Sequence, residues 1–169
     1  MEPVDLCPVT TLLQRSGILY GVPGTDKMSA ISAAVERMTL PDNVNRDQVI
    51  EQILRRESIA STGTGEGVAI PHPQNSPALQ LPDSVLTLAF LAQPIDFDAP
   101  DGKPVRALFV LLSASAGQHL RLLAHLGRIL LNPEVQRAIE NQLPTEQIAS
   151  VFCHAEAAVS SRKPAPVAG

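Results

Sequence analysis

Tryptophan is absent from this chain of 169 residues, and only 3% of it is aromatic. Its hydrophobic share is nevertheless 44%, so any core must be filled by Leu, Ile, Val and Ala. The length is most simply one domain, enough to bury a sizeable core. The two cysteines, Cys7 and Cys153, lie near opposite ends with no Cys-x-x-Cys pairing. Neither a disulfide framework nor a thiolate zinc site follows from them. No stretch approaches the roughly 18–20 uninterrupted apolar residues that a membrane-spanning helix needs. Residues 1–8 lack the basic start and apolar run of a signal peptide. The expectation is a cytoplasmic protein without membrane insertion. Basic charge is also scarce: 13 basic against 17 acidic residues leave a net charge of −4, and the only adjacent basic pairs are Arg55-Arg56 and Arg162-Lys163. A nucleic-acid binder would show a clustered basic surface, so none is expected as a partner.

Periodicity places the elements. Ile31, Ala34, Val35 and Met38 form the apolar stripe of a helix over 28–38. Asn45 reads as the N-cap of a second helix, with Gln48 three residues on, a buried face at Val49/Ile53 and Ile50/Leu54, and an end near Glu57. Val85–Ala92 and Ala107–Leu112 are too apolar to be half-exposed and read as central strands covered on both faces. Pro100-Asp101-Gly102 between them is a turn signal that allows an antiparallel pair. A helix over 118–131 follows, with Leu120, Leu123, Ala124, Leu130 and Leu131 expected inward. Asn132-Pro133 starts another, carrying Val135, Ala138 and Ile139. Thr145 is read as the cap of a last helix with Ile148, Val151 and Phe152 on one face. From Ala157 onward the sequence reads as a disordered tail, so the folded domain is expected over 1–156 and the tail over 157–169. Helices interleaved with apolar strands predict an α/β protein, a single domain with helices on both faces of a mixed sheet.

The densest signal is Ser61-Thr62-Gly63-Thr64-Gly65-Glu66-Gly67-Val68-Ala69-Ile70-Pro71-His72. Glycines at alternate positions mark a backbone that bends through positive φ or is closely approached. Val68-Ala69-Ile70 reads as a short buried strand. Pro71 cannot donate to a sheet ladder, so it ends that strand and leaves His72 at its mouth. Imidazole switches charge near neutral pH, so a histidine presented this way can act as base, ligand or nucleophile. The glycines make no phosphate-binding P-loop, which needs Lys-Ser/Thr after them, and Pro71 and Pro73 forbid the helix of a dinucleotide fingerprint. Taken alone, a single histidine after a strand is usually a hydrogen-bonded structural residue.

The whole string resembles the active-site motif of phosphotransferase-system EIIA domains of the fructose/mannitol type, and is most similar to their nitrogen-regulatory branch. Arg56-Glu57 before the glycines resembles the family's Arg-Glu at a helix end. Gln118-His119-Leu120-Arg121-Leu122-Leu123 resembles its second motif, and the likeness runs from about Leu12 to about Phe152. The resemblance implies a roughly five-stranded mixed sheet with the active histidine at its edge. It also implies a phosphotransferase component that is phosphorylated on His72, at the tele nitrogen, by the small carrier HPr. The phosphoryl group then passes to an EIIB partner or is held as a signal. His119 and Arg56 would steady the phosphoryl group: Arg56 with a guanidinium fork, His119 at a helix start whose dipole favours anions. Without the resemblance, His119 reads as a helix-capping histidine, and Arg56 as a cap favoured by the macrodipole.

His125 lies about 240° around the helix from His119 and cannot share its site; it and His154 are read as structural, and Glu66 as a solvated loop carboxylate. No cofactor is called for, and no ligand pair sits at the spacing of a zinc enzyme. The loop after His72, Pro73-Gln74-Asn75-Ser76-Pro77, departs from the family, which commonly has a small and then a basic residue there. A phosphoryl carrier of the nitrogen-regulatory kind is the first reading. A sugar-uptake EIIA, and a regulatory docking module that is not phosphorylated, are its rivals. The sequence does not address oligomeric state.

Overall fold

The computed structural model describes residues 8–161. Cys7 therefore lies outside the described residues, and Cys153 is a free, exposed thiol. In chain order the elements are α1 (Pro8–Ser16), β1 (Ile18–Val22), α2 (Lys27–Arg37), α3 (Arg46–Ile59), β2 (Gly63–Gly65), β3 (Val68–Ala69), β4 (Val85–Ile95), β5 (Val105–Leu112), α4 (Ala116–Ile129), α5 (Pro133–Glu140) and α6 (Thr145–Ser161), with a 3-10 turn at Ser76–Leu79. The five strands form one mixed sheet in the order β1-β4-β5-β3-β2. β4 and β5 run antiparallel, with Leu88 opposite Phe109, while β1 on β4 and β3 on β5 are parallel.

The apolar runs of β4 and β5 are explained by burial on both faces. Leu86, Leu88 and Phe90, with Phe109 and Leu111, point into a core closed by α1, α4, α5 and α6. The intervening Ala89 and Leu91, with Leu108, Val110 and Leu112, point into a second core closed by α2 and α3. A period of two with both faces covered is what makes such strands read as continuous hydrophobic sequence. Phe90, Phe109 and Phe152 are fully buried in the first core and Phe97 in the second, so the few phenylalanines are spent inside.

Asn45 caps α3 by accepting the Gln48 amide, and Asn132 caps α5, with Pro133 in its first turn. Three expectations are corrected. The inward stripe of α4 is Leu122, Leu126 and Ile129, while Leu120 is 69% and Leu131 75% exposed. Leucines at so many positions leave the helical phase open, and Leu131 falls after the helix has ended. Pro144, not Thr145, stands at the head of α6, its carbonyl accepting the amides of Gln147 and Ile148. Finally, α6 continues to Ser161, past Ala157 where the folded part was expected to stop; residues 162–169 lie outside the described residues. That helix is held by Glu156, a fully buried carboxylate that accepts the Val9 and Thr10 amides (2.9 and 3.0 Å) and so caps α1 from another element. Val159, one turn on, packs against the same core. The first two elements, α1 and β1, have no counterpart in the sequence reading.

Candidate functional site

The glycine-rich segment is a tight hairpin. Glu66 and Gly67 both have positive φ (53° and 79°), as the two central residues of a type I′ turn require, and they join β2 to β3. Gly63 is demanded by closeness instead: a Cβ there would come within 2.9 Å of the Ala99 methyl. Beyond β3 the chain stays locked to the sheet. The Ile70 amide donates to the Thr62 carbonyl, and the Pro71 carbonyl accepts from Leu111 of β5, both at 3.0 Å. Pro71 thus keeps the acceptor it has and ends the ladder through the donor it lacks. His72 is delivered at the carboxyl end of β3, which is one strand in from the edge because β2 lies outside it.

His72, His119 and Arg56 line one cleft of about 430 Å³, together with Pro73, Gln74 and Asn75. The two imidazole rings are 4.8 Å apart, centre to centre. His72 Nδ1 lies 2.9 Å from the Ile70 carbonyl oxygen. A carbonyl can only accept, so Nδ1 carries the proton and Nε2 keeps its lone pair, with no partner among the described residues. His119 Nδ1 is 3.0 Å from Ser113 Oγ, again leaving Nε2 as the unpartnered nitrogen. Burial holds the His72 pKa below its ordinary value, reinforced by the Arg56 charge and partly opposed by the Ile70 bond and Glu57. His119 is lowered too, first by burial, then by His72 and Arg56. Both rings are therefore neutral at physiological pH, the form in which imidazole is a nucleophile.

That electrostatic arrangement has an acid-side consequence. Followed by NMR, both imidazoles are expected to titrate with midpoints below the ordinary 6.5. These groups leave stability untouched above that pH. Below it the unfolded chain takes up protons that the folded one resists, so the urea midpoint should fall as pH drops from 6.5. A midpoint at or above 6.5 for His72 would contradict the burial assigned to it.

Arg56 sits in the last turn of α3 and donates to the Ala60 carbonyl (2.9 Å), so its capping role is present alongside its place in the cleft. His119 is not the first residue of its helix. α4 starts at Ala116, Ser115 caps it by accepting the Gln118 amide, and the His119 amide already donates to the Ser115 carbonyl. The unladdered first-turn amides are those of Ala116 and Gly117, and Ala116 lines the cleft. The divergent loop after His72 is pinned to α3: the Gln74 amide donates to the Gln52 carbonyl and the Asn75 amide to Gln52 Oε1. The other residues stand apart. Glu66 pairs with Lys103 on the surface, and Arg121 lines a different cleft. His125 Nε2 lies 3.1 Å from Glu156 Oε2, an ion-pair distance without hydrogen-bond direction.

Two supports had no distinct role in the sequence reading. Glu57, 2% exposed, accepts the Thr62 amide (3.1 Å) and its hydroxyl (2.6 Å), with Lys27 Nζ 3.7 Å away. It ties the end of α3 to the start of the hairpin that carries His72. Its position four residues after Ile53 on the buried stripe was the available signal. Ser113, which holds His119, is a buried serine at the end of β5 with no pattern to mark it.

The chain is similar to known proteins in sequence and in fold. The family described as "Phosphoenolpyruvate-dependent sugar phosphotransferase system, EIIA 2" matches residues 11–154. A nitrogen regulatory protein of Bradyrhizobium diazoefficiens is 31% identical over 148 residues, covering 86% of this chain and 94% of its own length. A fructose-specific EIIA component of Haloferax volcanii is 33% identical, covering 80% of this chain and 88% of itself. The crystal structure of the nitrogen regulatory protein IIA-Ntr from Neisseria meningitidis superposes with a TM-score of 0.73 at 26% identity, over 86% of this chain and 99% of that one.

Proposed function

The chain belongs to the EIIA 2 family of the phosphoenolpyruvate-dependent sugar phosphotransferase system, and from that premise we propose that it carries a phosphoryl group on His72. The observation that carries this reading is the His72 tautomer, with Nδ1–H donated to the Ile70 carbonyl and Nε2 bare toward the cleft. In the proposed step the Nε2 lone pair forms a bond to phosphorus as the bond from phosphorus to the HPr-type donor breaks, its electron pair leaving with the donor. The Nδ1 proton stays on the ring. A loose transition state asks mainly for positioning and for positive charge around the equatorial oxygens. Arg56 supplies that charge, and His119 offers a ring nitrogen 4.8 Å away, ring to ring. The reverse step hands the group to an EIIB partner or leaves it in place as a signal. Exposed Leu120, on the rim of the cleft, offers an apolar contact for either protein.

The test is incubation with EI, HPr and phosphoenolpyruvate. One acid-labile, base-stable phosphate per chain is expected. Arg56→Ala and His119→Ala should each fold normally and accept it about 10- to 100-fold more slowly, the scale of one lost charge-assisted contact. If both variants match the wild type, Arg56 is a helix cap and His119 a ring packed on Ser113, and nothing more. If no phosphate enters the wild type, the docking-module reading replaces this one.

Between regulation and sugar uptake, we assign the chain to nitrogen regulation. The support is the STGTGEGVAIPH string and the recurrence of nitrogen-regulatory proteins among the relatives, beside a fructose-specific one of similar identity. Capture from source-cell extract with the wild type and a His72→Glu mimic should then recover different protein sets, because only differential affinity lets a modification signal. Identical sets, with rapid transfer to an EIIB protein, would reassign it to transport.

A further inference from the structure

A second cleft, of about 640 Å³, opens between α1 and α4 and shares no lining residue with the His72 cleft. Its volume lies in the range of about 300–1,000 Å³ usual for small-molecule sites. α1 contributes Arg15 to its wall; α4 contributes Arg121, His125 and Arg128, spaced three and four apart so that they share one helix face. Arg15, Arg121 and Arg128 are exposed, and none makes a side-chain hydrogen bond or ion pair with another described residue; the same holds for Arg106 and Arg137, which lie outside this cleft, whereas Arg37, Arg46, Arg55 and Arg56 are engaged. Among the described residues, Asp83 is the single carboxylate on the lining. A solitary unpaired surface arginine is ordinarily just solvated. Here three of them, from two helices, converge on one concavity in a chain whose net charge is −4. The wall between them is apolar in part, where Pro8, Ala124 and the edges of the buried Leu12 and Leu122 reach it beside Thr11, Ser84 and Gln118.

We propose that this cleft binds a soluble phosphorylated metabolite of the nucleotide class, its phosphates held by Arg15, Arg121 and Arg128 and its apolar ring against Leu12 and Leu122. Three guanidiniums, each with five N–H donors in a fixed fork, together offer far more than one carboxylate can accept but match the several oxygens of a phosphate chain. The apolar wall is wasted on a bare inorganic anion and is filled by a base or similar ring. The cleft also abuts the phosphoryl site through the first turn of α4. Gln118 lines it and accepts from Ser84 Oγ (2.7 Å), which in turn accepts the Ala114 amide, beside the Ser113 that holds His119.

Calorimetric titration of the full chain with ATP as probe tests the assignment. Saturable binding in the micromolar to low-millimolar range is expected. It should weaken about tenfold or more in Arg15→Ala and in Arg128→Ala, each the loss of a charge-assisted contact. It should be unchanged in His72→Ala, so its success or failure is independent of the phosphoryl-carrier reading. Both arginine variants should keep wild-type stability and wild-type phosphoryl acceptance. Tripolyphosphate, which leaves the Leu12–Leu122 wall wet, should bind several-fold more weakly than ATP. The proposal is overturned by no saturable binding at millimolar ATP, by binding indifferent to both arginines, by binding lost in His72→Ala, or by tripolyphosphate matching ATP. Sedimentation with phosphatidylglycerol vesicles in preference to ATP binding would overturn it in favour of a lipid headgroup.

Discussion

His72→Ala is expected to take up no phosphate from phosphorylated HPr, a loss of at least about a thousandfold, the scale on which removal of a nucleophile is felt. The other ring in the cleft is expected not to take over. His119 approaches to 4.8 Å between centres but is carried on α4 and fixed through Ser113, whereas His72 is aimed by the Ile70 carbonyl at the end of a strand. The variant should fold, since the ring is only part-buried and its single hydrogen bond is to a local carbonyl. Mass spectrometry after incubation with the donor system reads the outcome directly. Substantial labelling of the alanine variant would move the site elsewhere.

Glu57→Ala is expected to destabilise the protein by about 2–4 kcal/mol, as two buried donors on Thr62 lose a charged acceptor. For a chain of this size that lowers the melting temperature by roughly 4–16 °C. Glu57→Gln keeps one acceptor oxygen and should cost less. Because Thr62 opens the segment leading to the hairpin, phosphoryl acceptance should slow as well, although Glu57 does not line the His72 cleft. Thermal denaturation of the three proteins checks this. An unchanged melting temperature in Glu57→Ala would mean that the carboxylate is a bystander to the fold.

The contrast between His72 and Glu57 shows how far the sequence could be read. The placement of His72 at a strand's mouth is legible because it is set locally, by the glycines, the strand and Pro71 within a dozen residues, while its candidacy as a site came from the family resemblance. Glu57 is not legible, because its role depends on Thr62 folding back onto the end of α3 and on Lys27 arriving from α2. β4 and β5 declare themselves because burial on both faces makes them unbroken apolar runs. β1 does not, being a short strand at the sheet's edge with only Val22 fully buried. α4 is plain as a helix but ambiguous in phase, since its leucines occupy more than one face and only the partners α1 and α6 decide which is buried. The convergence of Arg15 with Arg121 and Arg128 lies beyond any local pattern, because it is made by the docking of α1 on α4.

Phosphorus is expected to bond to Nε2 of His72 while Nδ1 keeps its proton for the Ile70 carbonyl. Long-range proton–nitrogen correlation NMR on the phosphorylated, nitrogen-15-labelled protein tests it most directly. One phosphorylated imidazole is expected, assigned to His72, with coupling to phosphorus at Nε2 and a protonated Nδ1. Coupling at Nδ1 of His72, or at either nitrogen of His119, would contradict it.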